Sequence, residues 1–169
     1  MNYSDTSYSF QPAKTEEFND IFRLYVERVS WMDKKGLKQW NTTSYLETYP
    51  LGYYEKHQSL GELYTLKTDG KLCGAVVLLN EDSRWEDRKD SAACYVHNLV
   101  TSTDAKGAGV VMLSEIEQLA AEKGKDFVRL DCAVDNEFLN HFYGSSGYEY
   151  AGPVEDPPYY GNRREKKIR

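Results

Sequence analysis

Residues 92–119, AACYVHNLVTSTDAKGAGVVMLSEIEQL, fall into three parts. The run 92–100 reads as a buried strand, 101–109 as a polar loop with two glycines, and Val110, Leu113, Ile116, Leu119 and Ala120 follow at helical spacing. A loop entering a helix leaves the first N–H groups without intrahelical partners. It also faces the positive end of the helix dipole, so the helix start favours an anion such as phosphate. Gly107 and Gly109 either let the backbone approach such a ligand or serve only a tight, closely packed turn. Two familiar phosphate loops are excluded: no Gly-Lys-Ser/Thr follows, and Met112 stands where a dinucleotide fingerprint has its third glycine.

Downstream, FVRLDCAV (127–134) reads as a second buried strand and leads into DNEFLNHFYGSSGYEYAG (135–152). Residues 92–152 as a set resemble the GNAT superfamily of acyl-coenzyme A-dependent N-acyltransferases. The match lies in YVHNLV, KGAG, RLDC, Asn136, Tyr143 and Gly147–Tyr148, spaced as in that family's N…FY…G[FY] segment. The resemblance implies an α/β fold, a single mixed central β-sheet that is mostly antiparallel, splayed near its middle and flanked by helices. It implies acetyl transfer from acetyl-CoA, a co-substrate, to a primary amine of a small molecule by direct attack in a ternary complex. The alternative is a non-catalytic domain of the same fold that binds acyl-CoA or a protein partner.

Composition narrows the partners. A chain of 169 residues is expected to form one domain with a proper core. Lys and Arg total 21 against 27 Asp and Glu, a formal charge of −6, which argues against nucleic acid or an anionic membrane surface as partner. No apolar run approaches the roughly 20 residues of a membrane span, and MNYSDTSYSF shows no basic segment followed by an apolar one, so a cytoplasmic protein is expected. It is expected to be a monomer or homodimer. Cys73, Cys94 and Cys132 sit in separate strand-like runs as small buried hydrophobes, without metal-ligand spacing. The 14 tyrosines point to aromatic pocket walls, an interface or core packing.

Along the chain, YSFQPAK (8–14) reads as an edge strand and Thr15 as a helix N-cap. Phe18, Ile21, Phe22, Tyr25, Val29 and Met32 share one helical face, and Gly36 ends that helix. Pro50 and Gly52 divide the next segment into short helices near 42–48 and 51–58. ELYTLKT and KLCGAVVLLN form a hairpin about Asp69–Gly70. Residues 81–91 are a charged loop. Strands follow at 92–100 and 126–133, helices at 107–123 and 136–146, the latter with Phe138, Leu139, Phe142 and Tyr143 as its buried side. GPVEDPPYYGN (152–162) is expected to be irregular and RREKKIR a last edge strand or frayed tail.

The resemblance also implies site roles. The coenzyme A pyrophosphate would lie on 104–109, held by the N–H groups of Lys106, Gly107, Ala108 and Gly109. Asp104 departs from the family's usual Gln or Arg at that place and would suit a helix cap better than a pyrophosphate. The loop is also one residue shorter than usual; Thr101, Ser102 and Thr103 offer hydroxyl donors. Backbone groups at Leu99 and Val100 would hold the pantetheine arm, one N–H polarising the thioester carbonyl. Asn136 matches a cofactor-holding asparagine and also suits a helix N-cap. Tyr143 matches the tyrosine that protonates the departing thiolate. His97 is the first candidate for general base, expected to share a sheet side with Leu99, or else is a satisfied core histidine; Asp131 is the second, or else forms a structural salt bridge with Arg129 or another basic group. Trp31, Trp40, Tyr45, Tyr49, Tyr53 and Tyr54 are candidate acceptor walls or lid packing, and Trp85, alone in its charged loop, is either part of a solvated surface or closes over the acceptor. His57 and His141 are expected at the surface, and no metal is expected.

Overall fold

In a computed structural model that describes residues 7–169, seven strands form one sheet in the order β1-β2-β3-β4-β5-β7-β6. The strands are β1 Tyr8–Pro12, β2 Leu63–Thr68, β3 Lys71–Leu79, β4 Ala93–Thr101, β5 Phe127–Ala133, β6 Glu149–Asp156 and β7 Tyr159–Lys167. The helices are α1 Phe18–Lys35, α2 Tyr45–Thr48, α3 Leu51–Ser59, α4 Ala108–Glu122 and α5 Glu137–Ser145. Residues 1–6, the larger part of the stretch in which no leader was read, lie outside the described residues.

Local chemistry accounts for most boundaries. Asp69 and Gly70 both have positive φ, 50° and 76°, as a two-residue hairpin turn between β2 and β3 requires. Gly36 closes α1 at φ 68°, its N–H and that of Leu37 bonding back to the carbonyls of Asp33 and Met32. Thr15 does not cap α1. It begins a 3₁₀ turn, 15–17, and the Glu17 carboxylate reaches back to the Lys14 N–H at 2.9 Å.

The sheet has one parallel junction, β4 with β5, and all other pairs are antiparallel. That junction joins only Ala93–Tyr95 to Phe127–Arg129. Beyond it the two strands part, so the sheet is split from its middle to one end, while β5 stays paired along its length with β7. A core on one face joins Val76, Leu78, Val96 and Leu130 to Met112, Leu113 and Ile116 of α4, with Tyr64, Tyr143 and Tyr148 also buried in it. On the other face Ala75, Val77 and Val100 meet Ile21, Leu24, Tyr25 of α1 and Tyr45 and Tyr54 of α2 and α3.

Residues 152–162, expected to be irregular, lie mostly in β6 and β7 and the turn at Pro157–Pro158, which contains a cis peptide bond. The prolines do not prevent this because β6 is the sheet edge and Pro153 lies at a register shift, where a missing N–H leaves no ladder bond unmade. RREKKIR is neither edge nor frayed tail, since β7 lies between β5 and β6. His57 is buried rather than exposed, its Nδ1 2.6 Å from Glu62 and its ring 4.4 Å from that of Tyr53. Among the described residues no helix is long and apolar enough to cross a membrane.

Candidate active site

The split between β4 and β5 opens into a cavity of about 570 Å³. Its floor is the far half of β4, which has no partner on the β5 side beyond Tyr95. Here β4 also bulges. Val77 pairs with His97 and Ala75 with Val100, so Asn98 and Leu99 together oppose Val76. Asn98 sits at φ 54°, in the left-handed region that asparagine tolerates better than most residues. The bulge reverses the alternation of side chains: Val96 lies in the α4-side core, yet Val100, four residues on, lies in the tyrosine-rich core opposite. His97 therefore faces the α1 side with its partner Val77, and Leu99 packs on the α4 side. The expectation that they share a side fails because alternation does not survive an inserted residue.

At the other side of the cavity the 101–107 loop turns into α4. Gly107 is the N-cap residue at φ 81°, a conformation costly for any residue with a side chain. Ala108 and Lys106 donate within the loop, to the carbonyls of Ala105 and Asp104, whereas Gly107, Gly109 and Val110 have no backbone partner for their N–H groups among the described residues. Asp104 is exposed and does not cap the helix. Lys106 is likewise at the surface. Gly109 serves packing too: a Cβ there would lie 3.3 Å from the Phe142 ring.

Tyr143 of α5 is 6% exposed and lines the cavity. Burial pushes its phenol well above the ordinary tyrosine value, and the neighbouring Cys132 and Asp131 add to the rise. Asn136 caps α5, accepting from Leu139 N–H at 3.0 Å, while its Nδ2 donates to the buried Gln39 at 2.7 Å. Its amide is thus engaged at both ends. Phe138, expected on the buried side of α5, is 71% exposed at the cavity rim, because α5 turns Leu139, Phe142 and Tyr143 to the core and leaves Phe138 outside it.

The acceptor end holds polar groups among aromatics. His97 Nε2 lies 2.8 Å from Asp82 Oδ2, and the Asp82 carboxyl is nearly covered. Burial raises Asp82, but the His97 hydrogen bond and charge, the Arg84 N–H and the Arg84 charge outweigh it and hold the carboxyl below its usual range. Asp131 accepts from Tyr159 Oη at 2.5 Å and lies 3.5 Å from Arg84, which also donates to Asp156 at 3.0 Å. The basic group paired with Asp131 is thus Arg84 and not Arg129, whose Nε donates to Glu165. Trp40 stacks on Tyr45 with ring centroids 4.3 Å apart, and both line the cavity with Trp31 and Tyr49. Trp85 does not: it is 1% exposed, packed with Ala93, Tyr95 and Ala151 and faced by Arg129 and Arg163. Tyr54 is buried in the α1-side core with Tyr53 packed against it, and neither lines the cavity.

The sequence profile of the acetyltransferase (GNAT) family matches residues 18–148, more than half of the chain. The chain belongs to the GNAT acetyltransferase family. It is 28% identical over 148 residues to an uncharacterized N-acetyltransferase, YesJ, of Bacillus subtilis, covering 83% of this chain and 81% of that one. A GNAT acetyltransferase structure from Listeria monocytogenes superposes with TM-score 0.78 at 25% identity, covering 98% of each chain. The PaiA N-acetyltransferase of Thermoplasma acidophilum, solved in complex with coenzyme A, superposes with TM-score 0.74 at 17% identity over 95% of this chain and 99% of that one.

Within this GNAT fold the cavity also gathers residues that sequence reasoning missed: Arg28, Gln39, Asn98, Arg84 and Tyr159 line it, and Asp82 stands behind His97. Arg28 donates to the Thr101 carbonyl at 2.6 Å and lies against Trp31. Tyr159 belongs to the stretch read as irregular, and Asp82 and Arg84 to a charged loop, so neither periodicity nor motif marked them. Among the described residues no group of three or more His, Cys, Asp or Glu is placed to hold a metal ion.

Proposed function

We propose that the chain transfers an acetyl group from acetyl-CoA to a primary amine of a small molecule, by direct attack in a ternary complex. One observation carries the reading: a strand edge without a partner, a helix start with free N–H groups, a buried phenol and a histidine–carboxylate pair all border one cavity. These residues fit coenzyme A. The N–H groups of Gly107, Gly109 and Val110, with Thr101–Thr103 beside them, are donors for the pyrophosphate, and the open edge at Leu99 and Val100 offers donors and acceptors to an amide-bearing arm. When bound, the thioester supplies an activated acyl group and a thiolate leaving group.

The chain's own residues supply the proton steps. Asp82, held ionised, accepts from His97 Nε2–H, which leaves Nδ1 as the acceptor of a proton from the incoming ammonium. Tyr143, kept protonated by burial, donates its proton to the departing sulfur. Trp31, Trp40 and Tyr45 wall the acceptor, and their aromatic faces suit a small organic amine that carries positive charge. The net charge of −6 favours such a cation over nucleic acid.

The test is calorimetric titration with acetyl-CoA, with desulfo-coenzyme A and adenosine diphosphate as controls, followed by a panel of amines. Micromolar binding with saturable thioester consumption is expected. Binding without turnover on any amine would make the chain an acyl-CoA-binding domain, and no binding at millimolar concentration overturns the reading.

A further inference from the structure

Asn98 is held from four directions. Tyr25 Oη of α1 donates to its carbonyl at 2.6 Å, Tyr53 Oη of α3 donates to its Oδ1 at 2.8 Å, and its Nδ2 donates to Tyr45 Oη of α2 at 2.5 Å. The fourth restraint is the β3 ladder on either side, at His97 and Val100. Each of the three acceptor-side helices thus sends one tyrosine hydroxyl to the same residue. The rings are braced in turn: Tyr25 stacks on Tyr54 at 4.5 Å, Trp40 on Tyr45 at 4.3 Å, and His57 packs edge-on against Tyr53 at 4.4 Å.

A left-handed asparagine inside a strand is strained on its own, so surrounding bonds must hold it. Its consequence lies next door. Two residues facing one across the ladder turn at least one β4 amide out of register, at the only part of β4 that borders the cavity without a β5 partner. We propose that the Tyr25–Tyr45–Tyr53 clamp on Asn98 is the positioning device for the backbone N–H that polarises the acyl carbonyl. Asn98 and the tyrosines are positioning residues; they act through the strand and do not touch the reacting atoms. This rests on the acetyl-CoA reading above.

The clamp also ties the two ends of the cavity together. Tyr45 is an acceptor wall and a clamp member at once, and Trp40, stacked on it, lines the same cavity, so a ligand pressed on Trp40 bears on the ring whose hydroxyl holds Asn98. A core built for stability alone would not need three separate helices to converge on one strained residue, since apolar rings of the same shape would fill the space without hydroxyls to satisfy.

The experiment compares the wild type with Tyr53→Phe and Asn98→Gly, the first removing one hydroxyl and the second keeping the left-handed backbone accessible while removing both side-chain anchors. Infrared difference spectra of bound carbonyl-labelled acetyl-CoA, without an amine, read carbonyl polarisation directly. The wild type is expected to shift the thioester stretch to lower frequency, and both variants to lose part of that shift while still binding the cofactor. With an amine from the panel, kcat is expected to fall about ten- to a hundredfold, less than or equal to the loss of an oxyanion donor itself, with the acetyl-CoA KM within about twofold. An unchanged carbonyl shift in variants that bind acetyl-CoA overturns the clamp and leaves the functional reading standing. Failure of the wild type to bind acetyl-CoA overturns both. Should Tyr53→Phe not fold, Asn98→Gly alone decides.

Discussion

The two faces of the sheet are packed by different means. The α4 face is filled mainly by Val76, Leu78, Met112, Leu113, Ile116 and Leu130, and its buried tyrosines Tyr64, Tyr143 and Tyr148 share no partner: Lys123 donates to Tyr64, and Tyr148 donates to Glu117. The α1 face is built around Tyr25, Tyr45 and Tyr54, with Tyr49 and Tyr53 packed against them, and three of these hydroxyls go to Asn98. Aliphatic packing tolerates local repacking, whereas hydroxyls that share one partner fix where those oxygens must go. The first supports the helix that starts at the candidate cofactor loop; the second shapes the strand that the acyl group would meet.

The comparison is broken most severely at a third cluster that belongs to neither. Trp85→Ala should lower unfolding free energy by about 3–5 kcal/mol in urea titration, as buried Trp truncations do, while turnover per folded molecule is unchanged. A raised acceptor KM with stability intact would return Trp85 to the acceptor wall. On the α5 side, Tyr143→Phe should reduce kcat by about a hundredfold with little change in acetyl-CoA affinity, and unchanged turnover would remove it from the mechanism. Because burial raises the phenol pKa, the wild-type rate should show no alkaline fall through the ordinary tyrosine value near 10.

Smaller effects sharpen the contrast. Asp82 has a folded-state pKa below its ordinary 3.8, so its contribution is present above that value and is lost as pH falls through the lower, folded-state value. Asp82→Asn should therefore lower Tm at neutral pH by about 2–4 °C, the size of a 1 kcal/mol change in a chain of this length, with the gap closing in strong acid. A gap that persists there would mean that packing, not charge, is what the substitution removed. Gly107→Ala, at φ 81° with open space around it, should destabilise by about 1 kcal/mol from backbone strain alone and weaken acetyl-CoA binding. If binding is unaffected, the N–H groups at the α4 start are not the phosphate site.

The α4 side was the more legible of the two. Its strand, loop and helix follow from period 2 and period 3.6 patterns in one unbroken stretch, and the boundaries of α1, α4 and the β2–β3 hairpin fall within a residue or two of those read from Gly36, Gly107 and Asp69–Gly70. The site's polar half was less so. His97 was picked out as a lone histidine, but its partner Asp82 is fifteen residues away in a charged loop with no pattern of its own. Trp85 carried the same composition signal as Trp40, yet one is enclosed by arginines and the other lines the cavity.

The main elements through α5, their order, and the anion-favouring character of the α4 start follow from the sequence alone. Those depend on side-chain periodicity, chain turns and backbone groups that are near neighbours along the chain. Tertiary packing carries β6 and β7 through a proline-rich stretch, because an edge position and a register shift make the missing N–H harmless. It alone decided that His97 and Leu99 face opposite sides, because one extra residue on β4 reverses every side chain after it. And only there do Tyr25, Tyr45 and Tyr53 reach Asn98, over 73, 53 and 45 residues of chain, where hydroxyls buried by separate helices had to find a common partner.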